Sequence, residues 1–417
     1  YHVFAKYMTE QGYAYPCFCT AEELDEIRSK QEAQKLDMGY YGEFAKCREL
    51  TLDEIKSKID AGVPYVVRLK SPGTSEGKAI FDDMIKGKIE MPENRQDIVL
   101  LKTDGIPTYH FAHAVDDYLM GTTHVVRGDE WISSAPVHLQ LFKCLAKRPP
   151  KYAHVSPLMK EENGGKRKLS KRKDPEAAVS FYFEQGYPAL SVREYLLTLA
   201  NSNFEDWRKP NPEASQDEFP FNFKKMSPSG ALFDLVKFND VSKNVISRMT
   251  ADEVFELSVK WAETYDKDLF NKLNQNPEFS KGIFSIDRGG NKPRKDIAKW
   301  NEIADYTEYF FKAPENIEMP ENISAEDVKA ILEKYVEVYN PDHTKDEWFG
   351  AIKEMCEPLG FSPDVKAYKQ SPESFKGHVG DVSGIIRLAV TGRKNTPDLY
   401  AIMQLLGKDE VINRLNK

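Results

Sequence analysis

From about residue 97 to residue 160 the apolar residues fall into a rhythm that few folds satisfy. Residues 98–101 form a compact apolar run that ends in the turn pair Asp104-Gly105, and residues 123–127 and 153–158 read as two further strands. A helical stretch from about Ser133 to Ala146 separates the last two. Short strands alternating with helices predict a parallel sheet of the doubly wound kind. Such sheets bind ligands beyond the carboxyl ends of their strands. Arg127, Gly128, Glu130 and Trp131 stand where one run ends, and residues 158–171 where the next ends, so function is expected at those two places.

The flanking stretches read differently. Thr20 with Glu23, and Thr51 with Glu54, are capping boxes that open helices over 20–36 and around 55–59. Val66, Val67 and Leu69 suggest a short strand, with a loop over 71–77, so the first hundred residues read as an α+β insertion. After about 176 the pattern is mostly helical, with a polar, proline-bearing loop or insertion over 207–223 and a helical bundle from about 250. Near the end, Thr396, Pro397 and Asp398 start an amphipathic helix, with Leu399, Ile402, Met403 and Leu406 on one face, and Gly407 can stop it. The chain opens on Tyr1 already in helical phase, with Val3, Phe4, Tyr7 and Met8, so a further segment is expected upstream.

Composition excludes several classes. With 41% hydrophobic and 30% charged residues the chain is neither disordered nor membrane-spanning, and its richest apolar run, 195–200, is too short to cross a bilayer. A net charge of -8 argues against coating nucleic acid by bulk charge and leaves room for a local basic groove. Five scattered cysteines and no basic-then-apolar leader make a reducing cytoplasm the expected compartment.

Three constellations carry chemistry. Lys168-Leu169-Ser170-Lys171-Arg172 follows Gly164-Gly165-Lys166-Arg167, a glycine loop expected to be mobile and rich in cations. Reaction at the α-phosphate of ATP needs positive charge where pyrophosphate develops, stronger in the transition state than in the ground state. On residues alone a solvated basic loop fits equally well. The second constellation runs from Asp104 through Tyr109, His113, Asp116 and Asp117 to Arg127, Glu130 and Trp131. An arginine fork is the natural bidentate partner of a substrate carboxylate, and Tyr109 could donate a hydroxyl to it. A core tyrosine and an arginine paired to Asp116 or Asp117 is the plainer alternative. Third, Cys17, Cys19 and Cys47, with Tyr40 and Tyr41 between, suit zinc or a set of buried structural thiols.

The pentapeptide resembles the Lys-Met-Ser-Lys-Ser signature of class I aminoacyl-tRNA synthetases, in the Lys-Leu-Ser-Lys-Arg form of the glutamyl enzymes. Its flanks resemble the same family, along essentially the whole chain. The resemblance implies an α/β plus all-α protein. Residues 1–96 would complete the first Rossmann half and form an α+β acceptor-stem insertion, and 97–160 would be the second half of the Rossmann-like catalytic domain. Residues 161–250 would hold the signature loop and stem-contact domain, and 251–417 a helical anticodon-binding domain. Lys168, Ser170 and Lys171 would contact ATP phosphates, with Lys171 the catalytic cation beside Lys168. Tyr109, His113 and Arg127 would line the amino-acid pocket, Glu130 and Trp131 would flank ATP, and Leu158 and Met159 would meet adenine. Some relatives carry asparagine in place of His113. Some also bind zinc through a Cys-x-Cys pair followed by a Tyr and a Cys, a spacing loosened here by Phe44, Ala45 and Lys46. Arg387 and Arg393 would face RNA or serve as helix-end charges.

The implied reaction is ATP- and Mg2+-dependent attachment of L-glutamate to tRNA(Glu) through a glutamyl-adenylate, by a cytoplasmic monomer without membrane contact. The family's other signature, a His-Ile-Gly-His-like motif, is absent from the 417 residues, so this chain by itself is expected not to form the adenylate. Glutaminyl-tRNA synthetase is the nearest rival. It needs an amide reader at Arg127 and usually a β-barrel anticodon region, against the helical pattern here. A non-discriminating enzyme and a non-catalytic tRNA-binding protein stay open.

Overall fold

Helix α1 (His2–Glu10) buries Ala5 and Met8 and leads into strand β1 (Ala14–Cys17). The computed structural model describes residues 1–315 and 317–417. Helix α2 (Ala21–Ala33) and helix α3 (Leu52–Asp60) start where the capping boxes predict: Thr20 accepts the Glu23 amide while Glu23 accepts the Thr20 amide, and Thr51 with Glu54 repeats the exchange. Strand β2 (Val66–Leu69) pairs antiparallel with β1, Ala14 opposite Leu69 and Cys17 opposite Val66.

Strands β3 (Lys78–Asp83) and β4 (Gly87–Pro92) form a hairpin with no counterpart in the sequence-based expectation. Strand β5 (Val99–Leu101) was expected in the parallel sheet but pairs antiparallel with β2, completing a separate three-stranded sheet ordered β1-β2-β5. An apolar run of a few residues carries no information about its partner or direction, which is why the assignment failed. Helix α4 (Tyr109–Leu119) follows, with Phe111, Ala114 and Val115 turned into a core shared with Leu69, Leu100, Leu141 and Phe142.

The parallel element is real but small. Strand β6 (His124–Gly128), helix α5 (Ala135–Cys144) and strand β7 (Lys151–Val155) make one βαβ unit, in register from His124 opposite Lys151 to Gly128 opposite Val155. Strand β3 joins β7 in parallel at Asp83 and Tyr152, giving a sheet ordered β4-β3-β7-β6. Strand β7 stops at Val155, short of the expected 158. The glycine loop expected beyond it is instead a paired hairpin of β8 (Met159–Glu162) and β9 (Gly165–Lys168). Its two-residue turn is Asn163-Gly164, both in the left-handed region (φ 52° and 77°), as the strand-matching primed turns require. Thus Gly165 is a strand residue opposite Glu162, and only Gly164 needs glycine's freedom.

These elements belong to one compact unit, Tyr1–Lys168 with Leu199–Trp207 and Phe219–Phe233. The second comprises Leu169–Thr198, Arg208–Glu218 and Asp234–Lys417, and all its named elements are helical among the described residues. Thr250 and Thr344 open Ala251–Tyr265 and Lys345–Cys356 with capping boxes, and Asp398 caps the expected amphipathic helix Leu399–Leu406, after which one more helix, Lys408–Leu415, follows. Its main core gathers Tyr335, Trp348, Ile352, Ile385, Ile402 and Val411. No helix among the described residues is long and apolar enough to cross a membrane.

Candidate functional site

Parallel register places Arg127 on β6 directly beside His154 on β7. Arg127 Nε donates to His154 Nε2 at 3.0 Å, and His154 Nδ1 lies 2.7 Å from Asp83 Oδ2 at the end of β3. Asp83 is buried, and it also accepts the amides of Ile85, Lys86 and His154 at 2.8–3.0 Å. Burial by itself would raise its carboxyl, but those amides outweigh it and hold Asp83 below the usual carboxylate range. On its other side Arg127 Nη1 meets His138 Nδ1 at 3.1 Å, and Nη2 donates to the Trp131 carbonyl at 3.3 Å. His138, fully buried on α5, has its Nε2 3.0 Å from His110 Nδ1.

Helix α4 supplies the facing wall because His113, four residues beyond Tyr109, shares its side of the helix. His113 Nδ1 lies 2.8 Å from Asp117 Oδ2, and its Nε2 is 3.1 Å from the Tyr152 hydroxyl. Tyr109, 51% exposed, lies 4.6 Å from the Trp131 ring and nearly parallel to His113. The Tyr152 ring lies 4.9 Å from the Arg127 guanidinium. Burial lowers the pKa of His110, His113 and His154, and brings His138 down to about 2. No carboxylate lies within ion-pair distance of Arg127 among the described residues: Asp116 accepts from Tyr1, and Asp117 faces His113. The plainer alternative for Arg127, an ion pair with either aspartate, is therefore ruled out. What remains is a half-buried guanidinium held by neutral partners.

The other expected site residues are dispersed. Glu130 is exposed, and Trp131 contributes its backbone carbonyl to Arg127. Met159 gives its amide to the Ala231 carbonyl at 2.8 Å and accepts the Phe233 amide at 2.7 Å, beside half-buried Leu158. Lys168 ends β9, exposed. Ser170 donates its amide to Asp174 at 2.9 Å and accepts the Lys173 and Asp174 amides, a tight turn that leaves Lys171 exposed. The division between the two units falls inside the pentapeptide, after Lys168. Asp83, His110, His138 and His154 were missed from sequence. The available signal was histidine density, five of the eight lying between residues 110 and 154.

Residues 1–209 match the family model for the catalytic domain of class I tRNA synthetases (E and Q). Over its full length the chain is 50% identical to the glutamate–tRNA ligase of Clostridium perfringens (strain SM101 / Type A), covering 77% of that relative. The chain belongs to the glutamate–tRNA ligase family. The ligase of Clostridium beijerinckii is 48% identical with the same coverage, and residues 365–417 match an anticodon binding domain. The crystal structure of a glutamate-tRNA synthetase from Elizabethkingia anophelis, 25% identical, has a TM-score of 0.72 over 99% of this chain and 81% of that one. The family assignment agrees with the fold expected from sequence, a class I catalytic domain followed by a helical anticodon-binding region.

Two further clusters lie within this ligase-family frame. The sulfurs of Cys17, Cys19 and Cys47 lie within 4.8 Å of one another. The Tyr40 hydroxyl is 3.2 Å from Cys19 Sγ and 3.5 Å from Cys17 Sγ, and it accepts the Cys47 amide at 3.1 Å. Of the two tyrosines noted in sequence, Tyr40 is thus the one in the cluster. Hydrogen bonding from Cys19 and Cys47 holds the Cys17 thiol far below its ordinary value. Three sulfurs and a phenolic oxygen form a four-donor set that fits zinc, so the loosened spacing does not break the cluster.

In the second unit, Arg393 grips Asp305 with both terminal nitrogens at 2.9 and 3.0 Å. It lines a polar cavity of about 280 Å³ with Lys243, Arg294 and Tyr306. Arg387, half-buried, donates to Thr396 and the Pro397 carbonyl and so braces the start of the following helix.

Proposed function

We propose that the protein activates glutamate with Mg-ATP to glutamyl-adenylate and transfers the glutamyl group to the terminal ribose of tRNA(Glu). The observation that carries this reading is Arg127, a guanidinium without a carboxylate partner among the described residues, braced by uncharged groups and sharing Trp131 as a neighbour with Tyr109. Such a site calls for a carboxylate from outside, and a glutamate side chain supplies one.

In this mechanism Arg127 and Tyr109 hold the side-chain carboxylate, with His113 in the wall behind Tyr109. The α-carboxylate attacks the α-phosphorus in line and pyrophosphate leaves. Lys168 and Lys171 supply positive charge to the leaving group, Ser170 shapes the turn that carries them, and Glu130, Trp131, Leu158 and Met159 border the nucleotide. The ribose hydroxyl then displaces AMP from the adenylate. Positioning and electrostatics do the catalysis, with no covalent protein intermediate. Cys17, Cys19, Cys47 and Tyr40 would hold zinc as a structural clamp, away from the chemistry. The enzyme acts on the cytoplasmic tRNA pool as a monomer, with the helical unit contacting the anticodon arm.

The test is a charging assay on this chain carrying a His-Ile-Gly-His-type segment ahead of Tyr1, with labelled glutamate and glutamine offered separately to both cognate tRNAs. Glutamate on tRNA(Glu) alone is expected. Glutamate on both tRNAs would make the enzyme non-discriminating. Glutamine charging, or none, would overturn the reading.

A further inference from the structure

The contacts around Arg127 fix where each proton sits. A guanidinium only donates, so any ring nitrogen facing it must be an acceptor. His154 Nε2 accepts from Arg127 Nε, which puts the His154 proton on Nδ1, donated to the Asp83 carboxylate at 2.7 Å. His138 Nδ1 accepts from Arg127 Nη1, which puts the His138 proton on Nε2, donated to His110 Nδ1 at 3.0 Å. The two rings therefore hold opposite tautomers, each set by the guanidinium N–H that faces it. With the Trp131 carbonyl taking a third N–H, two of the five guanidinium hydrogens remain, one on each terminal nitrogen. Two parallel donors are what a bidentate carboxylate takes, whereas a carboxamide would turn its own NH2 against one of them.

We propose that His154 and His138, the first anchored by Asp83 and the second by His110, are positioning residues that select carboxylate over carboxamide. They do so by locking Arg127 so that only its two terminal donors face the substrate. This rests on the reading that Arg127 binds the substrate's side chain. Neither histidine touches that substrate; each acts through the guanidinium. A lysine at position 127 could not be held this way, since it has no planar fork to lock. The arrangement also explains why Arg127 tolerates having no carboxylate beside it. A built-in counter-ion would occupy the donors that the substrate needs.

Two measurements test the lock. In the unsubstituted chain, long-range 1H–15N spectra of the imidazoles should give His154 as the Nδ1–H tautomer and His138 as Nε2–H. The opposite tautomer at either ring, or an imidazolium at neutral pH, would overturn the proposal without reference to activity. In the charging-competent protein, His138→Leu should raise the glutamate KM on the order of tenfold or more, with the ATP KM unchanged, and should narrow the preference for glutamate over glutamine. His138→Asn, whose amide oxygen stands in for Nδ1, should restore most of both. Equal effects of the two variants, or an unmoved glutamate KM, would reduce His138 to a packing residue. Arg127→Ala separates the two layers. If it leaves the glutamate KM unchanged, the reading of Arg127 itself fails; if it raises KM while His138→Leu does not, only the lock fails.

Discussion

Cys19 Sγ lies 3.6 Å from Cys47 Sγ, and neither is in a disulfide. Cys17 completes the group with its thiolate favoured by the neighbouring thiols. Sulfurs gathered this closely are stabilised by a cation among them. The purified protein is therefore expected to carry one zinc ion per chain, lost in Cys47→Ser, with a melting temperature lower by several degrees because the metal ties the 17–19 segment to residue 47. Metal analysis and a melting curve with and without chelator check this. A metal-free preparation that melts unchanged would sink it.

His138 gives stability a defined slope with pH. Its folded pKa, about 2, lies below the ordinary value near 6.5, so the unfolded chain takes up the proton first. The contribution is present above about pH 6.5 and lost as pH falls toward the folded value, at about 1.4 kcal/mol per pH unit. Urea unfolding at pH 7 and pH 5 should show the unsubstituted protein losing more stability over that interval than His138→Asn. Parallel losses would mean that His138 does not titrate in the unfolding equilibrium.

Lys171 is exposed in the turn held by Ser170 and Asp174. A cation that acts on the leaving group matters in the transition state more than in substrate binding. In the charging-competent protein, Lys171→Ala is expected to lower kcat for ATP–pyrophosphate exchange by about a hundredfold while leaving the glutamate KM within a factor of about two. A rise in KM alone would assign Lys171 to ground-state binding instead.

Gly164 adopts φ +77° in the turn joining β8 and β9. A side chain there is strained by about 1–2 kcal/mol. Gly164→Val is expected to speed hydrogen exchange in residues 159–168 while leaving protection in β6 and β7 unchanged. Equal protection in the variant would show that the hairpin is held by something other than its turn.

Much of this was legible in the sequence where the signal is local. The boxes at Thr20 and Thr51 opened helices at the residues named, and Asp398 to Gly407 bounded an amphipathic helix near the end of the chain. Strands β3 and β4 escaped notice because charged residues interrupt them: Lys78 and Asp82 alternate with Ala79 and Phe81, and the most buried position is a carboxylate, Asp83. A buried aspartate is recognisable only through its partner, and His154 is 71 residues away. Arg127 was visible as a strand-end cation, whereas the rings that orient it come from α5 and β7 and meet only once the βαβ unit closes. The tyrosine of the thiol cluster was undecided for the same reason, since Tyr40 and Tyr41 differ only in which way the chain turns them.

The unmatched charge at Arg127 bears on how the folded protein meets its ligand. Its neighbours Tyr152, His138 and His154 are desolvated and neutral, so the cation sits where water screens it poorly and nothing negative answers it directly. Folding thus leaves a half-buried cation in the first unit, and on the proposed function an arriving carboxylate relieves it. If Arg127 holds the substrate's side chain as proposed, the ligand finishes the fold, and the occupied protein is the more stable state by the free energy of binding. On that proposal specificity and stability share one origin, because a neutral isostere would fill the space and leave the charge unanswered.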